Sequence, residues 1–195
     1  LINTSYLQPK RFNILPPIVK NLLIVNGLLF LATITLYSSS GINLSNILGL
    51  HYWKSSEFKT WQIVSHMFMH GGFTHLAFNM FAVWMFGSQL ENLWGSKRFL
   101  NYYLLTGLGA AFLHFIVIHW QIYNLESIML KNQIEQVVEN GSTIFKGGKN
   151  YIDLDMRRLN ALYNTPVVGA SGALFGLLLA FGMLFPNALL FFIFI

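Results

Sequence analysis

The chain contains no cysteine, which excludes disulfide bridges, a thiol nucleophile and a thiolate metal site. It is also short of charge. Twelve Lys and Arg and seven Asp and Glu make up 10% of its 195 residues, against about 25% in an ordinary soluble domain. So few charges cannot coat a water-facing surface, which argues against a soluble globular domain. The formal net charge of +5 is spread too thinly to form the basic stripe of a nucleic-acid-binding protein, and no nucleic-acid partner is expected. Charge-poor, aromatic-rich composition also excludes disorder.

Apolar residues are plentiful: 54% of the chain, with 18 Phe, 8 Tyr and 5 Trp. They fall into runs of bilayer length, about 20 residues. Ile18 to Tyr37 is the first, ended by Ser38 to Gly41. Ile63 to Phe86 is the second, interrupted by Gly71-Gly72, so that its regular helix is expected to start near Phe73 or Thr74. Phe99 to Trp120 is the third and Val167 to Phe185 the fourth. After Pro186-Asn187 a fifth opens at Ala188 and runs to Ile195. The expected fold is all-α: a polytopic transmembrane helical bundle of four spans plus the start of a fifth. Because the chain begins at Leu1 and its last residues lie inside an apolar run, it reads as a fragment of a longer protein.

Residues 1–17 are a polar N-terminal segment, and residues 18–195 form one incomplete membrane domain. Within that domain residues 121–165 stand apart, holding ten of the nineteen charged residues. Leu130, Ile134 and Val137 recur at helical spacing, as do Met156, Leu159 and Leu162, predicting two short amphipathic helices in an extramembrane insertion. Its balanced charge fits a surface appendage outside the catalytic core. Lys10, Arg11, Lys20, Lys97 and Arg98 cluster on one side of the predicted spans. By the positive-inside rule this places the N-terminus in the cytoplasm and residues 42–62 and the insertion outside, in a multi-pass protein of a cell membrane, read as bacterial.

Polar groups inside a membrane span are costly and mark function by default. One cluster runs His66-Met-Phe-Met-His70-Gly-Gly-Phe-Thr-His75-Leu-Ala-Phe-Asn79. His75 and Asn79 lie four apart and share a helical face, where both can donate hydrogen bonds to a developing negative oxygen; taken alone, the pair reads more simply as a helix–helix hydrogen bond from each. His66 and His70 would face the other way on a continuous helix. Three His could hold zinc, but no carboxylate is close in sequence, and no metal is expected. The second cluster is Gly169-Ala170-Ser171-Gly172. A serine at a helix N-terminus with small flanks suits a nucleophile whose intermediate is an oxyanion; the other reading is packing, since Gly172, Gly176 and Ala180 form a small-residue stripe.

Taken together, His-x3-His-x4-His-x3-Asn in one span and G-A-S-G at the start of the next but one resemble the rhomboid family of intramembrane serine proteases, over roughly residues 18–195 without the insertion. Trp61-Gln62 stands where the family commonly has Trp-Arg, and Glu91 stands close to a family Glu at the inner end of the second span. The resemblance implies that Ser171 is the nucleophile, that His75, Asn79 and the Ser171 backbone N–H bind the oxyanion, and that His70, Gly169, Gly172 and Glu91 are structural or supporting. It implies no cofactor, transmembrane-helix proteins as substrates, and membrane lipid as surroundings. One element is missing: the family activates its serine with a histidine in a later span, in a Gly-x3-His-x2-Gly setting, and no such setting occurs in residues 1–195. His114 and His119 lie on the third span without it. Truncation accounts for this most simply, so the fragment alone is expected to be inactive. The alternatives are a rhomboid-like pseudoprotease that binds transmembrane helices without cleaving them and a small transporter, the latter without repeat symmetry to support it.

Overall fold

A computed structural model describes residues 12–188. Residues 1–11 of the expected N-terminal segment and residues 189–195 of the expected fifth span lie outside the described residues. The chain is built of helices: α1 Pro17–Ser40, α2 Leu44–Leu48, α3 Gln62–Ser65, α4 Phe73–Ala82, α5 Ser88–Trp94, α6 Ser96–Glu126, α7 Lys131–Lys146, α8 Leu154–Asn164 and α9 Ser171–Leu184. A 3-10 turn, His66–Phe68, follows α3, and a π-helical segment, Val83–Gly87, joins α4 to α5. The extended pairing among the described residues is one antiparallel bridge, Leu50 to Val167. Among the described residues α1 and α6 are long and apolar enough to cross a membrane, and α9 is a shorter apolar helix.

Helix α1 starts at Pro17, whose missing N–H costs nothing at a helix start. It stops at Gly41, which adopts the left-handed conformation (φ 68°) and donates its N–H back to the last turn. Pro16, at its N-cap, has no side chain able to satisfy the first amides. The carboxylate of Glu91, from α5, does so instead, accepting from the Ile18 and Val19 amides at 3.0 and 2.9 Å. Ser96 Oγ donates to the same carboxylate at 2.6 Å. Glu91 is buried, so its charge is held by these donors and by the positive end of α1. Around this anchor lies the main core: Val19 and Leu22 of α1, Met67, Val83, Leu90, Phe99 and Tyr103 of α6, and Ala173 and Leu177 of α9.

Helix α6 has 31 residues, about 46 Å at 1.5 Å per residue, against a hydrocarbon core of about 30 Å. It runs six residues past Trp120, where the apolar stretch ends. Its extra turns bury Ile122 and Leu125 in a second core with Tyr52, Val137, Met156, Leu159 and Tyr163. The insertion therefore does not stand free: α7 and α8 lie over the end of α6 and on the loop between α2 and α3. Both helices finish on that loop. Lys146, in the last turn of α7, pairs with Glu57 at 2.8 Å, and Ser142 Oγ donates to the same carboxylate at 2.8 Å. Asn164, ending α8, accepts from Ser55 Oγ at 3.4 Å.

Two predictions follow from these contacts. Replacing Glu91 with Ala should remove a buried carboxylate, leave its three donors without that acceptor and lower stability by about 3 kcal/mol, read as a lower thermal midpoint of the detergent-solubilised protein. The second concerns acid. The Lys146 ammonium holds the Glu57 carboxyl below the usual carboxylate range, burial opposing it and the Ser142 hydroxyl assisting. A lowered folded-state pKa gives stability that is complete above the ordinary value and lost as pH falls through the lowered one. His51, beside Glu57, is pushed below the ordinary imidazole value by burial. Protection of the amides at residues 54–58, taken relative to the intrinsic exchange rate at each pH, should then fall on acidification from about pH 6 to about pH 3. In Lys146→Met it should be low at both ends.

Candidate active site

The site is assembled at the break between α3 and α4. The helix begun at Gln62 tightens into the 3-10 turn and ends at Met69, which is extended (φ −96°, ψ 145°). Gly72 is fully extended at the N-cap of α4. Because the chain turns between them, His70 does not face away from His75 as it would on a continuous helix. The two rings meet edge to face with centroids 5.1 Å apart. His70 is buried, and both its ring nitrogens lack a partner among the described residues. His75 lies in the first turn of α4 and Asn79 one turn later, buried, with Nδ2 unpartnered among the described residues.

The serine arrives from the opposite direction. After α8 the chain runs extended and is tied twice to the His-bearing side. Val167 exchanges both backbone hydrogen bonds with Leu50, at 2.8 and 2.9 Å, and the Gly169 amide donates to the His66 carbonyl at 2.9 Å. Gly169 has φ 128°, a conformation costly to any residue with a Cβ. A Cβ there would stand 2.9 Å from His75 Cε1, 3.0 Å from His75 Nε2 and 3.5 Å from Ser171 Oγ. The imidazole and the hydroxyl thus share the space that glycine leaves open. Ser171 is the first residue of α9, where backbone N–H groups have no intrahelical acceptor and the helix end is positive. Gly172 serves packing: a Cβ on it would stand 2.5 Å from that of Ala110 on α6. Both readings of the G-A-S-G sequence hold, one glycine opening the site and the other seating the helix.

The structure thus brings together Ser171, His75, His70 and Gly169. Glu91 stands elsewhere, at the start of α1. His66 turns its ring to the Gln62 carbonyl, 2.9 Å from Nδ1, and serves the site through its backbone carbonyl. Gln62 is a residue whose importance the sequence did not reveal. It is buried; Oε1 accepts from the His51 and Lys59 amides and Nε2 donates to the Ile47 and Glu57 carbonyls, all at 3.0 to 3.3 Å. Two acceptances and two donations saturate a carboxamide, and a neutral amide is what those four backbone groups require.

A family model for the Rhomboid domain matches residues 57–195, more than half of the chain. The chain belongs to the rhomboid family. It is 38% identical over 56 residues to Rhomboid protease GluP of Bacillus subtilis, covering 29% of this chain and 11% of that protein. It is 28% identical over 117 residues to Rhomboid protease AarA of Providencia stuartii, covering 60% of this chain and 31% of that one. With Rhomboid protein 1, mitochondrial, of Saccharomyces cerevisiae it shares 27% identity over 126 residues, 65% of this chain and 25% of that protein. The chain thus aligns with less than a third of the length of each of these relatives. No solved structure matches it at a significant level. The rhomboid family is membrane-integral, in keeping with the apolar helices, and its proteases act on transmembrane substrates.

If the opening at Gly169 sets the meeting of imidazole and hydroxyl, Gly169→Ala should displace the His75 ring. In the full-length protein, labelling of Ser171 by a fluorophosphonate should slow by about 10²-fold. Gly172→Ala should act mainly by lowering the thermal midpoint.

Proposed function

We propose that the chain is part of an intramembrane serine endopeptidase that cleaves transmembrane segments by acyl-enzyme chemistry, with Ser171 as nucleophile. The observation that carries this reading is the convergence of His75 and Ser171 over Gly169 at depth. Gly172 packs level with Ala110 of α6, ten residues or about 15 Å short of Trp120, an exposed aromatic at the level where an interfacial belt belongs. The serine would then stand well below the membrane surface. On this reading α1, the helical run from Phe73 to Trp94, α6 and α9 are the four spans. The N-terminus and the α5–α6 turn face the cytoplasm, and the insertion faces outward.

Ser171 Oγ adds to the carbonyl carbon of the scissile peptide bond, and the carbonyl oxygen becomes an oxyanion. His75, Asn79 and the Ser171 N–H donate to it. The C–N bond then breaks, the amine leaves with a proton, and water hydrolyses the ester. A serine hydroxyl needs a base, which the family resemblance assigns to a histidine in the Gly-x3-His-x2-Gly setting of a later span.

In the full-length protein, Ser171→Ala should abolish cleavage of a model transmembrane substrate and leave the thermal midpoint unchanged. Asn79→Ala should lower turnover by about 10²–10³-fold with little change in substrate binding. Fluorophosphonate should label the wild type at Ser171. A wild type that captures transmembrane helices but neither cleaves nor labels would identify a binding pseudoprotease instead.

A further inference from the structure

The loop between α2 and α3 and the α7–α8 insertion are joined by contacts of several kinds. Glu57 receives both the Lys146 ammonium and the Ser142 hydroxyl, each at 2.8 Å. Ser55 donates to Asn164 at 3.4 Å. Tyr52 is buried among Val137, Met156, Leu159 and Tyr163, and its hydroxyl meets His119 Nδ1 at 2.9 Å. We infer that the insertion is a clamp that positions Ser171, with Lys146, Ser142 and Glu57 as its positioning residues; the inference rests on the protease reading above.

Two routes lead from the clamp to the serine. One passes through the loop. The Glu57 carbonyl accepts from Gln62, Gln62 accepts from the His51 amide, and the neighbouring Leu50 is bridged to Val167. The other is the chain itself. Between α8 and α9 lie residues 165–170, and that stretch is fixed by successive ties: Asn164 to Ser55, Val167 to Leu50, Gly169 to His66. Two of those partners, Ser55 and Leu50, belong to the clamped loop. A shift of the loop therefore moves the segment that sets Gly169 against His75. Glu57 is partly shielded, its side chain 25% exposed, whereas Lys146 is 56% exposed. The ion pair is thus one that can be opened without unfolding the core.

The test uses the full-length protein in proteoliposomes, with any cysteine outside residues 1–195 replaced. Spin labels at Lys59→Cys and Glu139→Cys, both exposed positions, report the distance between loop and insertion. Cleavage of a model transmembrane substrate reports kcat and KM. The wild type should give one narrow distance. Lys146→Met should broaden it and lower kcat about fivefold, the reach of a partly exposed ion pair, with KM unchanged. Lys146→Arg should retain both readouts, and the reversed pair Glu57→Lys with Lys146→Glu should recover most of the loss. An unbroadened distance in Lys146→Met would overturn the clamp. A broadened distance with unchanged kcat would overturn the positioning role, and so would a raised KM at constant kcat, which would make the insertion a substrate gate. A wild type that neither cleaves nor labels with fluorophosphonate would overturn the protease reading alone, because the distance measurements decide the clamp without it.

Discussion

Backbone amides and carbonyls away from water need partners, and a chain that leaves the helical path within a membrane must find them in its neighbours. Between His66 and Gly72 this protein leaves that path. The His66 carbonyl is met by the Gly169 amide from the serine-bearing segment. The same carbonyl also accepts from the Met69 amide of its own 3-10 turn, at 3.2 Å. One oxygen thus serves both sides: one lone pair closes the broken helix and the other docks the segment that carries Ser171. Had the helix continued through residue 72, His70 would face away from His75.

Substitution tolerance around the site should follow from what each small residue does. Gly169 needs both a left-handed backbone and an empty space before the His75 ring, so two independent penalties fall on any replacement. Gly172 and Gly176 need only proximity, to Ala110 and Thr106 of α6. The same tetrapeptide therefore mixes a conformational requirement with a packing one.

Much of this was legible in the sequence. Helix α1 matches the first apolar run within a few residues, because length, hydropathy and the stop at Gly41 agree. Helix α4 begins at Phe73, where the glycine pair said it would. Ser171 and His75 drew notice because polar residues are costly in a membrane span, although helix–helix hydrogen bonding and small-residue packing read the same positions. The extra turns of α6 were not visible: Ile122 and Leu125 look like the fading edge of a span, and only their burial under α7 and α8 shows why the helix continues. Nor was the seating of the insertion visible, since a single Glu57–Lys146 pair separated by 89 positions leaves no periodic trace. The bridge from Leu50 to Val167 has no alternating pattern around it. Gln62 was noticed as a departure from the common Arg, but its four hydrogen bonds come from backbone groups that carry no sequence signature.

The π-helical segment Val83–Gly87 has a consequence for how the two ends of one helical run can be used. Asn79 and Glu91 are twelve residues apart, which on an unbroken α-helix puts them about 120° apart around the axis. A π-turn absorbs roughly one additional residue, about 100° of rotation, and so brings the two back towards a single face. Both are in fact buried. Removing one residue from this segment would turn Asn79 and Glu91 towards different faces of the run. Burial of the Asn79 amide at one end would then compete with the contact of the Glu91 carboxylate with the start of α1 at the other.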